Sequence, residues 1–250
     1  MDYFLTIAAS DNSGGAGIQQ DCKVAHELGY WALSAVTGIT AQNFNKTYAV
    51  EAVSGKMLEA QLQQSLHSFP VKVIKIGAIC NNENIAIIAN YLNDFSNIPI
   101  VLDPVLSATS GASFLDNSSL HLLKETLFPL TRIITPNKPE FELLANQQIT
   151  TIEEGIEIAK EKCKEWETSI LLKGGHFEDA LIKEALITKH EVLCFVRERK
   201  NYTYNHGTGC TLSSALACFM GNGNSLKESY SLASNYLTKL FDDLQIKLLA

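Results

Sequence analysis

Short apolar runs of strand length alternate with helix-period segments along nearly the whole chain, and this alternation restricts the fold to a sheet interleaved with helices. The runs Ile98-Pro99-Ile100-Val101-Leu102 and Ile170-Leu171-Leu172 carry no polar alternation, as expected of strands covered on both faces. Strands are expected over residues 3–9, 32–37, 48–53, 71–76, 98–102, 132–134 and 169–172, with a hairpin from 180–188 to 192–196. Helical patterns fall within 14–28 and over 56–68, 85–92, 120–127, 140–144, 152–166, 211–220 and 226–246. The expected class is α/β, with a central, mostly parallel sheet and helices on both faces. At 250 residues, without a visible linker or internal repeat, the chain reads as one domain over 1–250.

Several polar or glycine-bearing clusters fall directly after an expected strand, at residues 10–17, Gly77, 103–111, 135–140 and 173–176. In open α/β sheets ligands bind beyond the carboxyl ends of the strands, so these clusters should share one edge of the molecule.

A formal charge of −7 and a pI near 5.4 remove the electrostatic reason to expect nucleic acid or an anionic membrane as a partner. Any bound phosphate must then be held locally. The six cysteines (Cys22, Cys80, Cys163, Cys194, Cys210, Cys218) lack C-x-x-C spacing, which argues against zinc or a disulfide framework and suits the cytosol. The apolar stretch 4–9 is too short for a secretory signal and meets Asp11 almost at once. A cytoplasmic protein is expected. Tyr30, Trp31 and Trp166 read as core or helix-packing aromatics, and His67 and His121 as surface or boundary residues.

The tract Asn205-His206-Gly207-Thr208-Gly209-Cys210-Thr211 has the make-up of an anion-gripping helix start. Glycines admit a close anion, threonines add hydroxyls, and the apolar residues Leu212, Ala215, Leu216 and Phe219 continue as one helix face. The helix's unpaired amides and positive dipole end would point at residues 207–210, beside the Cys210 thiol. A plain glycine turn entering a core helix is the alternative.

Ser10-Asp11-Asn12-Ser13-Gly14-Gly15-Ala16-Gly17 permits a backbone too tight for Cβ atoms, but it is neither a dinucleotide fingerprint nor a Walker loop. Asp21 follows one turn into the helix, near the strand ends or on a solvated face. Thr40-Ala41-Gln42-Asn43 offers two amides able to pair with a heterocycle edge. In Thr135-Pro136-Asn137-Lys138-Pro139-Glu140, Asn137 and Glu140 stand one turn apart, either as a helix cap or as a carboxylate site for hydrated Mg²⁺ beside phosphates. Lys173-Gly174-Gly175-His176 and Asp103 each end a hydrophobic strand, the first suiting nucleotide phosphates or a close-packed loop and the second a metal, a phosphate-linked water or a satisfied buried acid.

Taken together, these motifs, with Lys75-Ile76-Gly77 and Leu102-Asp103-Pro104-Val105, resemble the hydroxymethylpyrimidine/phosphomethylpyrimidine kinase family of thiamine biosynthesis, within the ribokinase-like superfamily. They are collinear from residue 8 to residue 215. The resemblance implies a ribokinase-like fold, a homodimer, and two successive ATP-dependent phosphorylations, of 4-amino-5-hydroxymethyl-2-methylpyrimidine and then of its monophosphate. By the same resemblance Asp21 and Gln42 hold the aminopyrimidine, and Thr40 and Val105 line its ring. Gly207, Thr208 and Gly209 form the anion hole. Asn137, Glu140, Lys173 and Thr208 serve the nucleotide, and Glu140 and Asp103 the Mg²⁺. Cys210 stands where most ribokinase-like enzymes carry an aspartate base, and the helix N-terminus is expected to lower its pKa into a useful range, so that it activates the substrate oxygen as base or as hydrogen-bond partner.

Three positions depart from the family pattern. Ala9 replaces a glycine and Ala78 a methionine, changing the pocket's shape, while Thr109 replaces a lysine that would attract a phosphorylated substrate. The competing readings are a pyridoxal/pyridoxine kinase on the same scaffold and a catalytically silent ligand sensor.

Overall fold

The computed structural model describes residues 1–44, 46–106, 115–177, 181–203 and 206–249. Thr109, the start of the expected hairpin at Ala180, and Asn205 lie outside them.

Among the described residues the elements run β1 (Asp2–Asp11), α1 (Gly17–Glu27), β2 (Tyr30–Gln42), β3 (Thr47–Ala52), α2 (Gly55–Ser68), β4 (Val71–Ile76) and α3 (Asn82–Asn93). They continue with β5 (Ile100–Leu102), α4 (Asn117–Thr126), β6 (Ile133–Ile134), α5 (Lys138–Ala145), α6 (Ile152–Glu165), β7 (Ser169–Leu172), β8 (Leu181–Ile187), β9 (Val192–Glu198), α7 (Thr208–Gly221) and α8 (Leu226–Leu249). The strands form one sheet in the order β3-β2-β1-β4-β5-β6-β7-β8-β9. Pairings from β2 through β1, β4, β5, β6 and β7 are parallel, whereas β3, β8 and β9 join antiparallel.

Consecutive residues of the central strands enter opposite layers, as the two-residue period requires. Val73 packs with Val24, Leu212 and Leu216 of α1 and α7, while Ile74 packs with Leu62, Ile88 and Leu92 of α2 and α3. Both faces are covered, which is why β5 and β7 read as unbroken apolar runs. The strand order reverses at β1, which lies between β2 and β4. Such a switch point opens a crevice at the carboxyl ends of the strands.

After the β8–β9 hairpin the chain returns to the sheet centre as α7. Its C-terminal end sits at the amino edge: Tyr30, the first residue of β2, donates its hydroxyl to the Cys218 carbonyl at 2.9 Å. Its N-terminus therefore points to the carboxyl edge.

Three expectations need correction. The strand expected over 32–37 extends through Gln42, because β3 pairs antiparallel with Gly38–Gln42 and supplies its ladder; Thr40 to Gln42 are strand residues and not loop. Trp31 is 55% exposed, since it alternates with the inward-facing Tyr30 on β2. Tyr30 and Trp166 are buried, Trp166 against Phe128 and Phe141. The strand expected over 98–102 begins at Ile100.

Candidate active site

Six strand ends and one helix start meet at the carboxyl edge. From β2 across to β7 they carry Thr40 and Gln42, Ala9 and Asp11, Ala78, Asp103 and Val105, Thr135 to Asn137, and Lys173. The start of α7 lies over the middle of this row.

That start is shaped by two close backbone approaches. Gly207 caps α7 in the left-handed region at φ +80°, and a Cβ there would come within 1.8 Å of the Gly15 carbonyl oxygen. Gly17 opens α1 at φ +58°, where a Cβ would lie 2.4 Å from the Ala9 carbonyl oxygen. Both positions require glycine. The glycine-rich loop and the α7 cap are thus in van der Waals contact, and Gln20 adds a 2.9 Å hydrogen bond to the Thr211 hydroxyl.

The first bond of the α7 ladder runs from the Thr211 amide to the Gly207 carbonyl at 2.8 Å. The amides of Thr208, Gly209 and Cys210 precede that ladder, and no side chain caps the helix. Converging uncapped amides and a helix dipole are what an anion needs.

A buried charge cluster lies directly beneath. Lys173 places its ammonium 2.9 Å from Asp103 and 3.9 Å from Glu140. Asp103 also accepts hydrogen bonds from the hydroxyls of Thr135 at 2.9 Å and Ser213 at 3.2 Å. A Cβ at Gly209 would stand 3.5 Å from the Lys173 ammonium and 3.7 Å from Asp103, so the cluster borders the uncapped first turn of α7. Burial works against the Asp103 charge, but the charges of Lys173 and Lys75, with hydrogen bonds from Lys173 and Thr135, hold its pKa below the usual carboxylate range.

Glu140 goes the other way. Burial and the neighbouring Asp103 charge raise it to about 7, more than Lys173 and the Asn137 amide can offset. It also closes a capping box with Asn137, each accepting from the other's backbone amide, so the helix-cap reading of this motif holds locally. A buried carboxylate so short of positive charge could take a cation, with Asp103 as the acid beside it.

Cys210 lies in the first turn of α7, and the Gly17 amide donates to its sulfur. The thiol contradicts the expected lowering. Burial pushes it up to about 11, with the charges of Asp21 and Asp103 adding to the rise and Lys75 opposing it. Two carboxylates and the loss of water outweigh one helix end, so the ligand-free thiol keeps its proton near neutral pH.

Asp21 is also corrected. Its side chain is wholly buried, bonded by both oxygens to Lys75 at 2.9 Å, by Thr6 at 2.6 Å and by Ser214 at 2.8 Å. Every lone-pair direction is taken from within the protein, so it does not reach the crevice. Gln42 is half-buried and accepts from the Thr47 hydroxyl at 2.8 Å while its side chain hydrogen-bonds Asp11. Thr40 donates to the Ser10 carbonyl at 3.0 Å. Ala9 and Ala78 are buried at the ends of β1 and β4, and Val105 is half-buried after β5.

Sequence reasoning quoted Lys75 only as part of a motif, without a role, and did not pair Asp11 with His206. Lys75 interrupts the apolar run of β4, a strand covered on both faces, and a lysine there must find a buried anion. His206 lies 3.2 Å from Asp11, whose carboxyl is held well below its usual range by hydrogen bonds from His206, Ser13 and Gln42 that override its burial. No spacing in the sequence pairs residues so far apart.

A cavity of about 530 Å³ lined by Thr131, Arg132, Thr168, Lys189 and Lys227 opens at the opposite, amino edge. It gathers none of the buried charges described above.

Comparison with known proteins places these features in context. The family model described as phosphomethylpyrimidine kinase matches residues 11–248. The thiamine biosynthesis bifunctional protein ThiED of Geobacter sulfurreducens is 36% identical over 94% of this chain, which spans only 48% of that protein. The hydroxymethylpyrimidine/phosphomethylpyrimidine kinase of Bacillus subtilis is 32% identical, with 96% of this chain and 89% of that one covered. Among solved structures, a phosphomethylpyrimidine kinase from Clostridium difficile 630 superposes with a TM-score of 0.84 at 32% identity, covering 96% and 99% of the two chains. A Bacillus subtilis pyridoxal kinase in complex with ADP gives 0.86 at 28% identity, covering 95% and 90%.

Proposed function

Since the chain belongs to the phosphomethylpyrimidine kinase family, we propose that it transfers the terminal phosphoryl group of ATP to 4-amino-5-hydroxymethyl-2-methylpyrimidine, and then to its monophosphate, in thiamine biosynthesis. The observation that carries this reading is the uncapped start of α7 at the carboxyl edge, set beside the Asp103–Lys173–Glu140 cluster. Phosphoryl transfer asks little covalent chemistry of a protein and much positioning and charge stabilisation. Amides at the start of α7 and the Lys173 ammonium supply both.

In this reading Gly207, Thr208 and Gly209 receive the transferring group, and Asn137, Lys173 and Thr208 face the nucleotide phosphates. Glu140 and Asp103 hold Mg²⁺, which when bound supplies neutralising charge to the phosphates. Gln42, Thr40, Val105, Ala9 and Ala78 form the ring pocket at the ends of β2, β5, β1 and β4. Cys210, protonated in the free protein, orients the substrate oxygen as a hydrogen-bonding partner.

Further parts of the reading rest on separate observations. The continuous sheet supports a single kinase domain over 1–250. Exposed Trp31, Ile39 and Tyr48 on β2 and the edge strand β3 support a homodimer. Six free thiols support a cytoplasmic setting, and no helix among the described residues is long and apolar enough to cross a membrane.

Incubation with the hydroxymethylpyrimidine, ATP and Mg²⁺, followed by mass spectrometry, should yield first the monophosphate and then the diphosphate. The likeness to pyridoxal kinase makes pyridoxal the necessary parallel substrate, and a higher kcat/KM for pyridoxal would overturn the assignment.

A further inference from the structure

The proposed mechanism uses the buried Asp103–Lys173–Glu140 cluster and leaves another buried pair, Lys75 with Asp21, without a task. Their side chains are both fully buried, as are Thr6 and Ser214, which complete the group. Four elements meet here: β1 through Thr6, α1 through Asp21, β4 through Lys75 and α7 through Ser214. All four residues lie in the layer between the sheet and helices α1 and α7, where Phe4 and Val73 pack on α7. A Cβ at Gly77 would stand 2.9 Å from the Lys75 ammonium, so that glycine leaves room for the cation. The group is sealed and cannot take a ligand.

Stability alone is a weak reason for such a group, since well-packed apolar side chains of similar size generally stabilise as well or better. Its position supplies a better one. Ser214 lies one turn after Cys210 on the same face of α7, and its hydroxyl donates to Asp21 at 2.8 Å. Neighbouring Ser213 donates to Asp103 at 3.2 Å, and lies 3.0 Å and 3.1 Å from the carbonyls of Gly209 and Cys210. Gly207 has no side chain with which to cap the helix. The rotation and advance of the anion-gripping turn are therefore set from behind, by two adjacent serines held on two buried carboxylates.

We infer that Lys75 is a positioning residue for phosphoryl transfer: by fixing Asp21 it anchors Ser214, and with it the donors of residues 207–210. The inference rests on reading the start of α7 as the anion hole. Lys75 bonds both oxygens of Asp21 and holds it in one orientation, so that the Ser214 hydroxyl has one direction in which to point. A misplacement of about 1 Å in such a site costs on the order of a hundredfold in rate.

Ser214→Ala cuts the link to α7 and leaves the ion pair. Lys75→Met alone strands a buried charge and risks misfolding, so the second variant is Lys75→Met combined with Asp21→Asn, which keeps the site neutral. Both proteins should fold, with kcat reduced about tenfold or more and KM for ATP and the pyrimidine held within about twofold, as expected when only transition-state contacts are lost. Amide hydrogen exchange at residues 211–214, the first hydrogen-bonded amides of α7, measured without substrate, should quicken in both variants. Wild-type kcat with only a lowered Tm, or unchanged exchange at those amides, would overturn the inference. Because exchange needs no substrate, it decides the point even if the wild-type protein turns over neither ring.

Discussion

The α carbon of Gly207 lies against the carbonyl of Gly15, so tightly that a methyl group would approach the oxygen to 1.8 Å. The contact joins the loop after β1 to the cap of α7 and sets where the free amides of that helix point. Gly207→Ala would have to break the contact and hold a positive φ as well. An expected loss of about 2 kcal/mol or more, from the left-handed strain and the clash, should appear in urea unfolding. Turnover should fall by at least about a hundredfold, because the displaced turn carries the anion donors.

Cys210→Ala should lower kcat strongly while ATP binding by calorimetry stays near wild type, since the thiol faces the substrate oxygen in the proposed site. Retained turnover would show that the thiol is dispensable. Pushed up to about 11 by burial, the Cys210 thiol is protonated at pH 7. Iodoacetamide should accordingly label the exposed Cys194 well before Cys210, as read by peptide mass spectrometry.

Lys173→Met leaves two buried carboxylates facing each other without their shared cation. Loss of one partner from a buried pair costs about 3 kcal/mol or more. The variant should unfold at lower denaturant and bind ATP more weakly. Excess Mg²⁺ should recover part of the stability, because the divalent ion replaces the missing charge between Asp103 and Glu140.

Glu140 makes the ligand-free protein sensitive to pH. Its folded-state pKa, about 7, lies above the ordinary 4.5, so between those values the native state holds a proton that the unfolded chain has released. Stability contributed there falls as pH rises through this window, by an amount on the order of 3 kcal/mol. Glu140→Gln removes the dependence and keeps an oxygen for the Asn137 amide. Its Tm should match wild type near pH 4.5 and exceed it progressively up to pH 7.5. A variant less stable than wild type at pH 7.5 would show that the carboxylate is better paired than its burial implies.

Much of the fold is legible in sequence because strand and helix periods are local. Ile100 to Leu102 and Ile170 to Leu172 declare themselves by unbroken apolar runs, and both appear in buried strands of the sheet, β5 and β7. The far half of β2 was not legible. Its residues alternate exposed and buried, and what makes them a strand is the distant ladder with β3.

For the site the division is similar. Glycines at 15, 17, 207 and 209, the thiol at 210 and the acids at 103 and 140 are chemical identities, and the order in which they follow strands already puts them on one edge. The sequence by itself therefore determined the α/β class, the edge that binds and the inventory of groups there. Only the tertiary structure decided which charges meet: Asp21 turns inward to Lys75, Lys173 bridges Asp103 and Glu140, and Cys210 is pushed up where a helix end alone would pull it down. The reason is that pKa and partner choice depend on desolvation and distances of a few ångströms between residues far apart in the chain, which no local pattern encodes.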